Sequence, residues 1–370
     1  MAIICFVTAC AFVFVEARSG SLSIPRIPTI VLVFFIAICV RLLLPPTGVP
    51  GAVPGAAVSR GLLLAGLFGL TLYAYLRLPF ENLLWLIAGF TFACAFVALV
   101  AYVHHPAWDG RLVFSGRATH SIVGAGAISI GVIAAVALLA YAPKAWSRVA
   151  LIGLILMTGV LVATLVLTGS RGPMIALALA LGGTPLMMRS KSPALFIACA
   201  IGVWVLVTSI VLLDGPIKQT LCPYIDLACR QSNRHGVWME TIEAIGKHPL
   251  WGNGYGFRFS GVPHAHNAYL GVALHYGIPM LVLFVCLMTA ALKRTAGIEN
   301  RQQKFFVTAS LVFANGFMGS DLSDPVRFFN THYLFLWFPL FIAFVGPPPA
   351  ASGTATEAAA AAQQAGRTAP

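Results

Sequence analysis

Three groups of residues in this 370-residue chain combine side chains and spacing suited to chemistry. The first is Thr168-Gly169-Ser170-Arg171-Gly172-Pro173, wedged between two apolar runs. Arg171 has no room there to be an ordinary solvated loop residue, and a charge at that depth is a functional candidate by default. Its planar fork suits two oxygens of a phosphate. Pro173 at the start of a helix leaves N–H groups nearby that favour an anion further. The plain alternative is an interfacial anchor that snorkels to the surface.

The second group runs from Arg230 to Ile245. Arg230 and Arg234 share a helix face at i, i+4, while Trp238, Ile242 and Ile245 recur at i, i+4 and i+7 as an apolar stripe. Ser232 or Asn233 suits the N-cap, and Pro249 follows the end. Such a helix lies on a membrane surface or over a bundle; a solvated helix with an ordinary basic face is the alternative. The third group is His264-Ala265-His266-Asn267, which opens the next apolar run. Two histidines at i, i+2 suggest a metal pair, yet no acid or cysteine within a few residues completes a ligand set. A neutral imidazole, kept deprotonated by nearby arginines, suits a general base at neutral pH. An isolated structural histidine competes with that reading.

The elements that position these groups follow from composition. The chain is 59% hydrophobic and 9% charged, whereas a soluble domain carries about a quarter charged residues. A soluble enzyme is therefore excluded, and so is a disordered chain, which needs low hydrophobicity. What remains is an all-α, polytopic membrane bundle of about 11–12 helices. Apolar runs predict helices over 2–15, 28–44, 61–78, 83–103, 121–141, 148–168, 173–188, 193–213, 268–292, 304–320 and 331–346. The first is short with no basic residue ahead of it, and makes a poor signal peptide. Either the N-terminus faces outward or a helix is missing upstream.

Net charge is +12, and its distribution sets orientation. Arg18, Arg26, Arg77, Lys144, Arg148, Arg189, Lys191, Lys293, Arg294, Arg301 and Lys304 crowd one set of loops. The opposite set holds fewer basic residues, among them Arg111, Arg117, Arg171 and Arg327. The positive-inside rule puts the richer set in the cytoplasm, so the long loop over 214–267 and the Arg171 turn lie outside. The chain thus divides into membrane helices over 1–213, the outer loop with its amphipathic helix over 214–267, further membrane helices over 268–346, and a disordered cytoplasmic tail over 347–370. The basic residues are scattered singly, which excludes nucleic acid as a partner.

Six of the eight cysteines sit in apolar runs, where cysteine acts as a small hydrophobe. Cys222 and Cys229 bracket a polar stretch of the outer loop, and an oxidising compartment allows them to pair as a disulfide. Glycines in Trp251-Gly252-Asn253-Gly254-Tyr255-Gly256 do not form a nucleotide loop, because no strand precedes them. Asp321 and Asp324 offer a rival acidic metal pair, although Asp before Pro is more often a turn residue.

Order and spacing of these pieces resemble the bacterial O-antigen ligases and their superfamily of polymerases and protein O-oligosaccharyltransferases. The matching pieces are Ser170-Arg171-Gly172, Arg234-x3-Trp238, the HPLWGNGYG segment at 248–256, and His266-Asn267 with Gly277 ten residues after Asn267. The resemblance implies a GT-C-like membrane fold, an active site facing the periplasm from the inner membrane, and no cofactor. It implies transfer of a polysaccharide from undecaprenyl pyrophosphate to a sugar hydroxyl of lipid A–core. In that reading His266 is the base, and Arg171 and Arg234 stabilise the departing pyrophosphate. Asn267, Trp238, Arg230 and His264 contact substrate. The alternatives are an O-antigen or exopolysaccharide polymerase of the same superfamily, or a transporter of the lipid-linked glycan. Transporters gather polar groups at the bilayer midplane, whereas here they cluster at one outer face.

Overall fold

Helix α1 (Phe80–His104) opens a run of apolar helices: α2 (Ser121–Ala140), α3 (Arg148–Leu167), α4 (Arg171–Met188) and α5 (Pro193–Leu212). Further along the chain come α6 (Arg234–Lys247), α7 (Ala268–Tyr276), α8 (Ile278–Thr295) and α9 (Arg301–Ser320). A π-helical turn, Tyr333–Trp337, leads into α10 (Phe338–Val345). This computed structural model describes residues 78–104, 110–114, 120–143, 146–212, 234–254, 257, 264–326 and 332–345, with isolated positions between 29 and 66. No strand occurs among the described residues. Cys222, Cys229 and Arg230 lie outside them, as do the proposed caps Ser232 and Asn233, the tail after 345, and most of the first three predicted helices.

Helix starts are set by local chemistry. Ser147 caps α3, its Oγ accepting from the Ala150 N–H at 3.2 Å, and Asn300 caps α9 by accepting from Gln303 N–H at 2.9 Å. Helices α1, α2, α3 and α8 are long and apolar enough to cross a membrane. On α3 the side chains of Val149, Ile152, Ile155, Leu156, Val162 and Val166 are exposed. An all-round apolar helix with one such face open belongs against hydrocarbon. The protein is a multi-pass membrane protein.

Helix α9 is the axis. Every residue from Gln303 to Ser320 is buried, and α4, α5 and α2 pack around it. Close approach to α5 depends on small residues: a Cβ at Gly316 would meet Val203 Cγ1 at 2.8 Å, and one at Gly319 would meet Trp204 at 2.8 Å. Near the start of α9, the Lys304 ammonium donates to the carbonyls of Ser190 (3.1 Å) and Ala296 (3.2 Å). It thereby ties together the C-terminal ends of α4 and α8, where cations are favoured.

Two predicted elements need correction. The helix expected over 268–292 is two helices, broken at Gly277 (φ 89°). Leu250 and Trp251 backbones press on Gly277 so closely that a Cβ there would overlap the Leu250 carbonyl. The second correction concerns α6. Its buried residues are Val237, Trp238, Thr241, Ala244 and Ile245, while Ile242 is 51% exposed. The buried stripe follows the bundle, with Val237 and Ala244 closing the gap that the i, i+4, i+7 reading left.

Candidate active site

Six elements converge at one end of the bundle. The end of α3 and start of α4 meet at Thr168-Gly169-Ser170; the start of α2, the end of α9 and the starts of α6 and α7 surround them. Arg111 braces the Thr168–Ser170 turn, donating from Nε to the Thr168 carbonyl (2.7 Å) and from Nη2 to Ser170 Oγ (2.9 Å). That turn delivers Arg171 as the first residue of α4, half-buried at the helix's N-terminal end. Anions are stabilised at such an end by the helix dipole and its unpaired N–H groups.

Arg234 opens α6 and forms an ion pair with Asp321, whose side chain is 1% exposed. Asp321 is the residue at which α9 ends, its N–H bonded to the Phe317 carbonyl at 3.1 Å. The second carboxylate oxygen faces Ser320 Oγ at 3.4 Å and backs onto Gly172, where a Cβ would overlap it. One carboxylate therefore fixes the start of α4, the end of α9 and the first turn of α6. Asp324 is occupied differently, accepting from the Val326 N–H at 2.9 Å in a tight turn. Among the described residues, no three histidine, cysteine or acidic side chains gather as a metal set.

His266 sits beside this pair with φ 51°, the one non-glycine residue of positive φ among the described residues. A bulky residue in that region is strained, and such strain persists where surrounding structure over-determines it. The surroundings are clear. Asn267 caps α7, its Oδ1 accepting from Tyr269 N–H (3.0 Å) and Leu270 N–H (3.2 Å). Its Nδ2 donates to the Gly319 carbonyl at 3.2 Å, anchoring the turn to α9. His264 Nδ1 accepts from the His266 N–H at 3.4 Å, and the two rings lie 4.1 Å apart.

Burial pushes the His266 imidazole down to about 4, and the nearby Arg234 guanidinium and His120 push the same way; a hydrogen bond with the Asp321 backbone opposes them. Its Nδ1 is buried without a hydrogen-bond partner. His120, at the N-cap position of α2, is also lowered, by burial and then by Arg111, with Asp321 acting against. The site is thus a neutral imidazole among fixed guanidinium groups and one neutralising carboxylate.

The structure brings Arg171, Arg234, His264, His266 and Asn267 to one end of the bundle. Trp238 is one turn along α6 and buried, with its indole Nε1 unpaired, so it packs into the bundle instead of facing water. Three site neighbours are not assigned these places by the sequence: Arg111 reads as a loop cation, His120 as a helix-start residue, and Asp321 as a turn acid or half of an acidic metal pair. Only the convergence of α2, α4 and α9 reveals them.

The WGNGYG stretch has a structural part. Asn253 N–H donates to the Leu274 carbonyl (2.7 Å) and its Nδ2 to the Ala244 carbonyl (2.9 Å), while Ile278 N–H donates to Pro249 (2.7 Å). Gly252 (φ 66°) passes so near the 275–277 backbone that a Cβ would sit 2.6 Å from it. The segment clamps the break between α7 and α8, holding α7 at the angle that presents His266.

Residues 157–285 match a family model described as O-antigen ligase. The match begins within α3, ends within α8, and takes in Arg171, Arg234, the 248–256 clamp and the His266 turn; Arg111, His120 and Asp321 fall outside it. No curated protein matches the chain. Over residues 157–285 this multi-pass membrane protein is similar to the O-antigen ligase family.

Proposed function

We propose that the protein is a membrane glycosyltransferase of the O-antigen ligase type. It moves a polysaccharide from undecaprenyl pyrophosphate to a sugar hydroxyl of lipid A–core, at the periplasmic face of the inner membrane, without cofactor or metal. The observation that carries this reading is the juxtaposition of a buried neutral His266 with the Arg234–Asp321 pair, at the bundle end where Arg171 opens α4.

The acceptor hydroxyl loses its proton to His266 as its oxygen attacks the anomeric carbon. The bond from that carbon to the pyrophosphate oxygen breaks, and the pyrophosphate leaves as an anion. Arg171 and Arg234 face the charge that develops on it. An imidazole lowered to about 4 is fully deprotonated at neutral pH but a weak base. Bound pyrophosphate offsets the Arg234 field and raises the imidazole toward neutrality, so basicity grows when donor is present. Asp321 holds the Arg234 fork in place until then. His264 supports the turn, and Asn267 has its amide committed to the α7 cap and to Gly319. Arg230, Cys222 and Cys229 belong to the outer loop, where a disulfide would restrain the arm that carries Arg230.

Transfer from purified lipid-linked glycan to acceptor tests the proposal, with His266→Ala and EDTA as separate arms. Loss of transfer in His266→Ala and none with EDTA is the expected pattern; full activity of that variant, or metal-restorable loss with EDTA, overturns it. The glycan profile of a deletion strain separates the superfamily roles. Long chains left on the carrier identify a ligase, and single repeat units identify a polymerase.

A further inference from the structure

Successive helical residues turn by about 100°, which sorts α6 into three faces. Val237, Trp238, Thr241, Ala244 and Ile245 form the face against the bundle. Glu240, Glu243 and Lys247 form a charged face, with Glu243 and Lys247 paired at 2.9 Å and both exposed. Between them runs a third face of Met239, Ile242 and Gly246, with His235 in its first turn. Met239 is 55% exposed and Ile242 51%. Just beyond the helix, Leu250 and Trp251 are 63% and 61% exposed. An isolated exposed apolar residue needs no explanation, but these four follow one another along α6 and the turn after it.

Their surroundings say what covers them. The Ile278 N–H donates to the Pro249 carbonyl at 2.7 Å, which sets Leu250 and Trp251 against the first turn of α8. On α8, Ile278, Val282 and Val285 recur at i, i+4 and i+7, all exposed, on a helix long and apolar enough to span the membrane. The exposed apolar surface of a membrane span therefore continues onto the 250–251 turn and toward α6.

We infer that α6 and the turn after it are seated in the lipid interface, with Met239, Ile242, Leu250 and Trp251 entering the outer leaflet, the bundle on one side and the charged face in water. Tryptophan at the headgroup level is the residue suited to such a seat. Because α6 begins with Arg234, the seat fixes the height of the Arg234–Asp321 pair relative to the bilayer. This inference is independent of the reaction the site performs.

The test uses the full chain in phosphatidylcholine nanodiscs, with and without bromine on the lipid acyl chains near the headgroup. The difference between wild type and Trp251→Phe isolates the Trp251 emission from the other six tryptophans. A second probe, Met239→Trp in the Trp251→Phe background, reports from the helix itself. Both probes should emit at short wavelength and lose most of their intensity in brominated lipid, with iodide in the water having little effect. Quenching by iodide but not by brominated lipid would place this face in water and overturn the inference. Insensitivity of either probe to both quenchers would mean that protein covers it, and would overturn it equally.

Discussion

Gly172 lies directly against the carboxylate of Asp321, with no space for a methyl group between them. Through that contact the first turn of α4 meets the residue that caps the end of α9, and Asp321 turns its other oxygen to Arg234. A glycine after Arg171 is thus a packing requirement of the charge pair, not a loose turn. Gly172→Ala should displace the carboxylate and destabilise this end of the bundle by about 1–3 kcal/mol, the usual cost of overpacking. Gly182→Ala, in the same helix with open space at its Cβ, is the control. Thermal unfolding in detergent reads both; equal melting temperatures would contradict the contact.

Breaking the Arg234–Asp321 pair from one side should cost more than removing both charges. Loss of one partner of a buried pair typically costs about 3–5 kcal/mol because the other charge is stranded. Arg234 is 22% exposed, which moves the expectation to the low end, whereas Asp321 at 1% has no access to water. Arg234→Gln should therefore destabilise more than Asp321→Asn, and the double variant should be more stable than Arg234→Gln alone. A double-mutant cycle on unfolding measures the coupling. Transfer should be lost wherever Arg234 is replaced, so stability and chemistry come apart in the double variant.

The pH dependence should carry the mark of His266. Its imidazole is lowered to about 4 from the usual 6.5, so the folded state prefers it neutral. The contribution to stability is complete above about pH 6.5 and is lost as pH falls toward 4, since the unfolded chain takes up the proton first. The acid limb of kcat/KM should sit well below that of an ordinary histidine. Saturation with anionic donor should move the limb of kcat upward. A limb at the same pH in both, or an unchanged limb in His266→Gln, would remove His266 from the proton path. His264→Ala should lower the rate less, because its imidazole supports the turn from two residues away.

Asn267 is expected to act through position. Asn267→Ala removes the α7 cap, worth about 1 kcal/mol, and the bond to Gly319. Asn267→Asp keeps the cap acceptor and loses only the donor to the Gly319 carbonyl. Both should lower kcat through a displaced His266, with donor KM nearly unchanged and Asp the milder. A large rise in KM for either variant would point instead to direct contact with substrate.

Arg171→Lys tests the fork. An ammonium keeps the charge but cannot hold two phosphate oxygens in one plane, so rescue relative to Arg171→Ala should be partial in both donor KM and turnover. Complete rescue would reduce the role to simple charge.

What the sequence determined by itself was everything that depends on local composition. Six predicted helices fall within a few residues of α1 to α5 and α9, because a membrane helix must satisfy its backbone internally and shows as an unbroken apolar run. Arg171 and the His266 turn were legible because a charge or imidazole beside an apolar run stands out, and Arg234 because it shares a helix face with Arg230 at i, i+4. The tertiary structure alone decided what lies across from them. Asp321, His120 and Arg111 stand 51 to 155 residues from His266 and Arg171 along the chain, with no fixed spacing, and meet only because the starts of α2 and α4 and the end of α9 lie at one place. The break at Gly277 was equally hidden, since apolar residues continue through it; only the 250–251 backbone pressing on that glycine divides α7 from α8. Ile242 was misplaced for a related reason: the helical period allows several stripes, and the neighbours of α6 choose which one is buried.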